Sequence, residues 1–253
     1  METIAQVRAK LACSDSLDAD VRDRLSNDPR IGVQKLLDAW QRRQAQRAEW
    51  LKRFKHLNAY EERLHAQGFE YVGGIDEAGR GPLAGPVVAA CVILRPESVI
   101  LGLNDSKQLT PHRRDMLFDD IRAAALAIGI GEASAPEIDR YNIYQASKLA
   151  MMRALEATSI RADFLLIDAM QLPVQIAQES LIKGDARSNS IAAASIIAKV
   201  TRDRLMQKLD QTYAGYGFAN HKGYGTADHL RALKTLGPCP EHRLTFSPVM
   251  ASR

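Results

Sequence analysis

Tyr71-Val72-Gly73-Gly74-Ile75-Asp76-Glu77-Ala78-Gly79-Arg80-Gly81 marks the point where the chain changes character. Before it, no glycine falls between Gly32 and Gly68. Apolar residues there recur at helical spacing: Val33, Leu36, Leu37 and Trp40, then Trp50, Leu51, Phe54 and Leu57. After it, β-branched runs alternate with helical segments. Residues 71–75 and 87–94 read as strands. Thr110-Pro111 supplies an N-cap and a proline for the first helical position, so a helix is expected to about residue 127. Residues 128–131 read as a short strand and 142–157 as a helix. Phe164-Leu165-Leu166-Ile167 is the continuous apolar run of a buried central strand. A short strand at 181–182, an alanine-rich helix at 190–213 and a helix at 226–236 follow, the last stopped by Gly237-Pro238. This order predicts an α/β fold, a mixed β-sheet flanked by helices, over residues 70–253. A small all-helical N-terminal appendage is expected over 1–69.

The composition fits a folded globular protein. Of 253 residues, 46% are hydrophobic and 25% charged, which excludes a largely disordered or collagen-like chain. No apolar run approaches a membrane span, and the first residues lack the apolar core of a signal peptide. Three cysteines, Cys13, Cys91 and Cys239, show no metal-ligand spacing, and a reducing, cytoplasmic location is expected. The net charge of +4 is compatible with a nucleic-acid partner without demanding one. Residues 1–69 carry 13 Lys+Arg against 10 Asp+Glu, and their basic stretch 42–55 reads either as a solvated helix face or as a phosphate contact. Nothing in the sequence asks for more than a monomer.

The chemistry lies in the acids. Asp76 and Glu77 directly follow an apolar strand. Adjacent strand residues face opposite ways, so both can meet one site only if the strand ends or bends there. Gly79 and Gly81 allow such a bend, and Arg80 adds a phosphate-matching fork. By itself the segment also reads as an ordinary polar turn. Asp168 closes the run 164–167, with no clean helix after it to cap. Asp185 closes another short strand ahead of the long helix, where capping and ligation fit equally well. Asp203, between Arg202 and Arg204, reads as a helix-surface ion pair. Crowding Asp76, Glu77, Asp168 and Asp185 would be costly without a cation, and a hard dication, Mg²⁺ or Mn²⁺, suits oxygen ligands. Two such ions could orient a water and stabilise the leaving oxygen of a phosphodiester. Arg80, Ser106, Lys107, Lys183 and the segment His221-Lys222-Gly223-Tyr224-Gly225 are phosphate-friendly. Tyr224, between glycines, can stack on a sugar or base.

Together these motifs resemble type 2 ribonuclease H (RNase HII). The resemblance rests on residues 71–87, Asn104-Asp105-Ser106-Lys107, Leu165-Leu166-Ile167-Asp168, Lys183-Gly184-Asp185, residues 192–203 and residues 221–226, in order. It implies an RNase H-like fold. It also implies cleavage of the RNA strand of RNA–DNA hybrids and incision 5′ of single ribonucleotides in duplex DNA, by two-metal-ion hydrolysis that leaves 5′-phosphate and 3′-hydroxyl ends. Asp76, Glu77, Asp168 and Asp185 would then be the catalytic and metal-binding acids. Gly79, Arg80 and Gly81 would grip the ribonucleotide through its 2′-OH. Tyr224 would pack on the junction, and Ser106, Lys107 and Lys183 would contact phosphates. Residues 1–69 are similar to the N-terminal extension of some bacterial members. Two other classes stay open on the residues alone: another metal nuclease or phosphotransferase on the same fold, and a hybrid-binding protein without turnover.

Overall fold

The computed structural model describes residues 2–252. Its centre is a five-stranded mixed sheet of order β3-β2-β1-β4-β5, with β1 Val72–Ala78, β2 Val87–Leu94, β3 Ala125–Ala133, β4 Phe164–Asp168 and β5 Ala177–Leu181. β1, β2 and β3 form an antiparallel meander, whereas β1–β4 and β4–β5 pair in parallel.

β2 shows why the sheet is covered twice. Val87, Ala89, Cys91 and Ile93 join the cluster containing Ala146, Ala150 and Met151 of one helix layer. Ala90 and Val92 join the cluster of Leu117, Ile121, Ala193 and Ile197 in the other. Both faces are apolar, so the strand reads as a continuous run without alternation. Burial pushes the Cys91 thiol up to about 12, which makes it a small hydrophobe.

The helices are α1 Ile4–Cys13, α2 Ala19–Ser26, α3 Ile31–Leu57, α4 Ala59–Ala66, α5 Pro111–Ala124, α6 Ala135–Glu156, α7 Asn189–Thr212, α8 Phe218–His221, α9 Ala227–Leu236 and α10 Ser247–Met250. α7 is the helix nearest the chemistry. Ala192, Ala193 and Ala194 are fully buried, and small side chains let the helix lie close on β1. At Gly74 a Cβ would stand 2.1 Å from the Ser190 carbonyl carbon, so that strand position admits only glycine.

Several boundaries differ from expectation, each for a local reason. β1 runs on through Asp76 and Glu77 instead of ending before them. α5 stops at Ala124 because Ala125 is already extended and enters β3. α6 begins well before residue 142: Ser134 and Glu137 form a capping box, and Pro136 sits in the first turn. Asn142 then interrupts the helix at φ 67°, and its Oδ1 re-caps the second half by accepting from the Tyr144 and Gln145 amides. The strand expected at 181–182 begins four residues earlier and ends one earlier, over Ala177–Leu181.

By compactness the chain forms two units, residues 1–53 and 54–253. The first has its own core of Val7, Leu11, Leu25, Val33, Leu37 and Trp40. The basic side chains of 42–53 are largely exposed on α3. The second unit takes the end of α3 and all of α4. Leu64 packs with Val72, Leu166, Leu181 and Ile191, and buried Glu61 accepts from Ser188 Oγ (2.6 Å) and from the amide and hydroxyl of Ser190 (2.9 and 2.6 Å). Among the described residues no helix is long and apolar enough to cross a membrane.

Candidate active site

The parallel pairing of β1 with β4 sets the first two acids side by side. Ile75 pairs with Ile167, so Asp76 and Asp168 are the next residues along the two strands. β4 ends at Asp168, which leaves Glu77 beyond the edge of its neighbour. This is how two successive strand residues share one site. Both line a cleft of about 300 Å³ with Gly79, Arg80, Gly81, Ser106, Lys107, Asp168, Asp185 and Tyr224. The cleft thus gathers ten of the eleven residues expected from sequence. The exception is Lys183, exposed and outside the lining.

Asp185 arrives by a short relay of backbone. The Gly184 amide donates to Asp168 Oδ1 (2.6 Å), tying the turn 184–186 to the end of β4. The cap of α7 is Ser188, whose hydroxyl accepts from the Ile191 amide, so Asp185 is free of the capping role. Three non-glycine residues in left-handed conformation flank the site: Ala169 after Asp168, Lys183 before Gly184-Asp185, and Lys222 before Gly223-Tyr224. Each costs about 1 kcal/mol or more, and such strain gathers where geometry serves function.

Electrostatics mark the same spot. Burial, then the charges of Glu77 and Asp168, push the Asp76 carboxyl well above its usual range. Burial and Asp168 raise Glu77 against the opposing pull of Arg80. Asp185 is raised by burial, by Asp105 and by Asp168. Glu77 Oε1 accepts from Arg80 (3.3 Å), while Glu77 Oε2 is buried with no hydrogen-bond partner. A buried, unpartnered carboxylate oxygen among like charges is what a hard cation would satisfy. Among the described residues no three acidic, histidine or cysteine side chains already form a closed cage. Mg²⁺ does not need one, since it binds through one or two carboxylates and completes its shell with water and phosphate.

Two buried arginines shape the rim. Arg243 donates through Nη1 to the Arg80 carbonyl (2.8 Å), through Nη2 to those of Gly79 (2.5 Å) and Gly85 (2.8 Å), and through Nε to Gly85 (3.0 Å). Arg202 donates to the carbonyls of Pro86 (2.9 Å), Lys222 (3.0 Å) and Ala84 (3.1 Å). Gly79, at φ 98°, passes so close that a Cβ would stand 2.1 Å from Arg202 Nε. The two guanidinium groups therefore lock the Gly79-Arg80-Gly81 loop and the Lys222-Gly223-Tyr224 turn together. Tyr224 Cε1 lies 3.7 Å from where a Gly81 Cβ would be, and the ring is half exposed over the cleft.

Sequence reasoning missed Ser195, Lys199 and Arg202, which also line the cleft. Their i, i+4, i+7 spacing along α7 is the signal that could have found them. Asp203 pairs with Lys199 (2.6 Å) as expected of a helix ion pair, but the pair stands in a second cleft of about 560 Å³ that shares Lys199 with the first.

A family model described as Ribonuclease HII matches residues 73–249, and one described as Ribonuclease HII N-terminal domain matches residues 3–65. The Ribonuclease HII of Listeria innocua is 51% identical over 252 residues, covering 100% of this chain and 97% of that protein. The chain belongs to the ribonuclease HII family. It is accordingly a hydrolase of the ribonuclease H class, an endonuclease. The Ribonuclease HII of Enterococcus faecalis is also 51% identical, over 98% of this chain and 97% of its own. The crystal structure of the ribonuclease H2 from Pyrococcus horikoshii OT3 superposes with a TM-score of 0.62 at 28% identity, over 72% of this chain and 96% of that one. The RNase H-like architecture is thus shared by fold as well as by sequence.

Proposed function

We propose that this ribonuclease HII cleaves the RNA strand of RNA–DNA hybrids and incises 5′ of single ribonucleotides in duplex DNA, leaving 5′-phosphate and 3′-hydroxyl ends. One observation carries the reading: Tyr224 stands over the Gly79-Arg80-Gly81 loop in the same cleft as Asp76, Glu77, Asp168 and Asp185. That arrangement supports reading Tyr224 as a sensor of sugar shape beside acids that act on phosphate. Asp76, Glu77, Asp168 and Asp185 hold Mn²⁺ or Mg²⁺, with Glu77 Oε2 and the raised Asp76 carboxyl the groups most in need of a cation. Bound divalent ions supply orientation of a water and charge stabilisation at the leaving oxygen. The protein does the rest. Arg80 and the main chain of Gly79 and Gly81 take the 2′-OH, which distinguishes RNA from DNA at one position. Tyr224 packs on the following deoxyribose. Ser106 and Lys107 hold the scissile strand, and Lys183, outside the cleft, takes a flanking phosphate. The partners are nucleic acids, and a monomer suffices to form the site.

The test is cleavage of a DNA duplex with one internal ribonucleotide, with Mg²⁺ or Mn²⁺ and with chelator. A single metal-dependent cut 5′ of the ribonucleotide supports the assignment. Cutting only within long hybrid would keep the nuclease and remove the junction role from Tyr224 and the Gly-Arg-Gly loop.

A further inference from the structure

Three histidines cluster beneath Tyr224, and none has a part in the chemistry above. His229 on α9 and His242 are both fully buried, with Nε2 atoms 3.1 Å apart. Phe218 meets His229 edge-on at 5.5 Å, and Tyr216 lies 5.0 Å from His242. His221 stacks on His229 at 4.4 Å.

The donors around these rings fix every proton. The Cys239 amide donates to His242 Nδ1 (3.0 Å), so that nitrogen is an acceptor and Nε2 carries the hydrogen. His242 Nε2–H therefore donates to His229 Nε2. That leaves His229 with its hydrogen on Nδ1, which donates to the Tyr224 carbonyl (3.0 Å). His221 follows the same pattern, accepting from the Gly223 amide at Nδ1 (3.2 Å) and donating from Nε2 to the Tyr216 carbonyl (2.8 Å). Burial holds His229 below the usual histidine range and His242 down to about 4. The Tyr224 amide is held from the other side by the His221 carbonyl (2.9 Å).

We propose that His242 and His229 are positioning residues, a one-way relay of hydrogen bonds that fixes the Tyr224 backbone and so sets selectivity for the ribonucleotide junction. The relay rests on the junction role given to Tyr224 above. Its direction matters, because only a donor at the His242 Nε2 position selects the His229 tautomer that reaches Tyr224.

Two substitutions separate the relay from local packing. His242→Gln keeps a donor toward His229 and loses the acceptor for Cys239. His242→Asn keeps that acceptor and loses the donor. The readout is kcat/KM on a single-ribonucleotide duplex divided by that on a long RNA–DNA hybrid. His242→Asn should lower this ratio about fivefold, the scale of one hydrogen bond, mostly through KM, while His242→Gln stays within about twofold. Tyr224→Ala should lower it about tenfold, the scale of one lost stacking contact, and adding His242→Asn should lower it no further. If Tyr224→Ala shifts the ratio and His242→Asn does not, the relay is wrong and the junction role stands. If Tyr224→Ala has no effect, the junction role falls and the relay with it. Should both His242 variants fail to fold, ¹⁵N spectra of the wild-type histidines decide. A His229 ring protonated on Nδ1 supports the relay, and one protonated on Nε2 overturns it.

Discussion

Asp76 and Asp168 are neighbours across a parallel strand pair, one step beyond Ile75 and Ile167, and the Asp168 charge adds to what burial and Glu77 already cost the Asp76 carboxylate. Replacing Asp76 by Asn removes that repulsion along with a proposed ligand. Asp76→Asn is expected to lower cleavage at least about a thousandfold. Its melting temperature without divalent ions should stay level or rise, because a buried like charge has gone. Rate and melting curve measured on the same preparation check both parts. Near-full activity would sink the acid assignment.

Divalent ions should stabilise the folded chain. A site filled at a hundredfold excess over Kd adds about 2.7 kcal/mol, roughly 5–10 °C for a unit of this size. The pH dependence has a definite sign. Asp76 and Glu77 have folded pKa values above the ordinary 3.8 and 4.5, so the ion-free fold binds protons more tightly than the unfolded chain. Their contribution is neutral below about pH 4, turns unfavourable as pH rises from there, and reaches its full cost above the folded values. The Mg²⁺-induced shift should therefore be larger at pH 8 than at pH 5, and absent in Asp76→Asn. Differential scanning calorimetry with and without Mg²⁺ tests this.

Arg243→Lys should be costly although the charge is kept. A lysine cannot serve the carbonyls of Gly79, Arg80 and Gly85 at once, and the abandoned ones stay buried. A loss of about 3 kcal/mol in stability is expected, with KM for ribonucleotide-containing duplex rising as the loop loosens. Urea unfolding and steady-state kinetics read the two effects. A variant with unchanged urea midpoint and KM would show that the loop needs no such clamp.

Glu137 offers a stability change remote from the acids. Hydrogen bonds from Arg153 (2.7 and 3.1 Å), then the Ser134 cap, hold its carboxyl down to about 2. A lowered folded pKa contributes stability above about 4.5 that is lost as pH falls toward 2. Glu137→Gln should thus destabilise at pH 7 by on the order of 1 kcal/mol, after discounting for solvent screening of this partly exposed pair. The difference from wild type should vanish near pH 2, and cleavage should be untouched. A constant gap across the pH range would point to packing as the cause.

The acids were legible because each sits at the end of an apolar run, and position along a strand is written in period and composition. Asp76, Glu77 and Asp168 needed no knowledge of which strands pair. The clamp was not legible. Arg243 is separated from Gly79 by most of the catalytic unit, and nothing local marks a guanidinium as buried under backbone carbonyls. The first half of α6 was hidden by Asn142, whose left-handed backbone breaks the helical period that its own side chain then restarts. β3 was read too short because Ala125, Ala127, Gly129 and Gly131 carry almost no hydropathy contrast, although their small size lets α6 lie close.

The β1–β4 parallel pairing also bears on how the enzyme comes into being. Parallel neighbours cannot be joined by a tight turn, so β2, β3, α5 and α6 must all be synthesised before Asp168 can reach Asp76. A nascent chain halted short of β4 carries Asp76 and Glu77 without Asp168 beside them and without the neighbouring strand that helps to bury them. The cleft that gathers Asp76, Glu77, Asp168 and Asp185 is therefore completed late in the chain, once β4 and the turn 184–186 are in place.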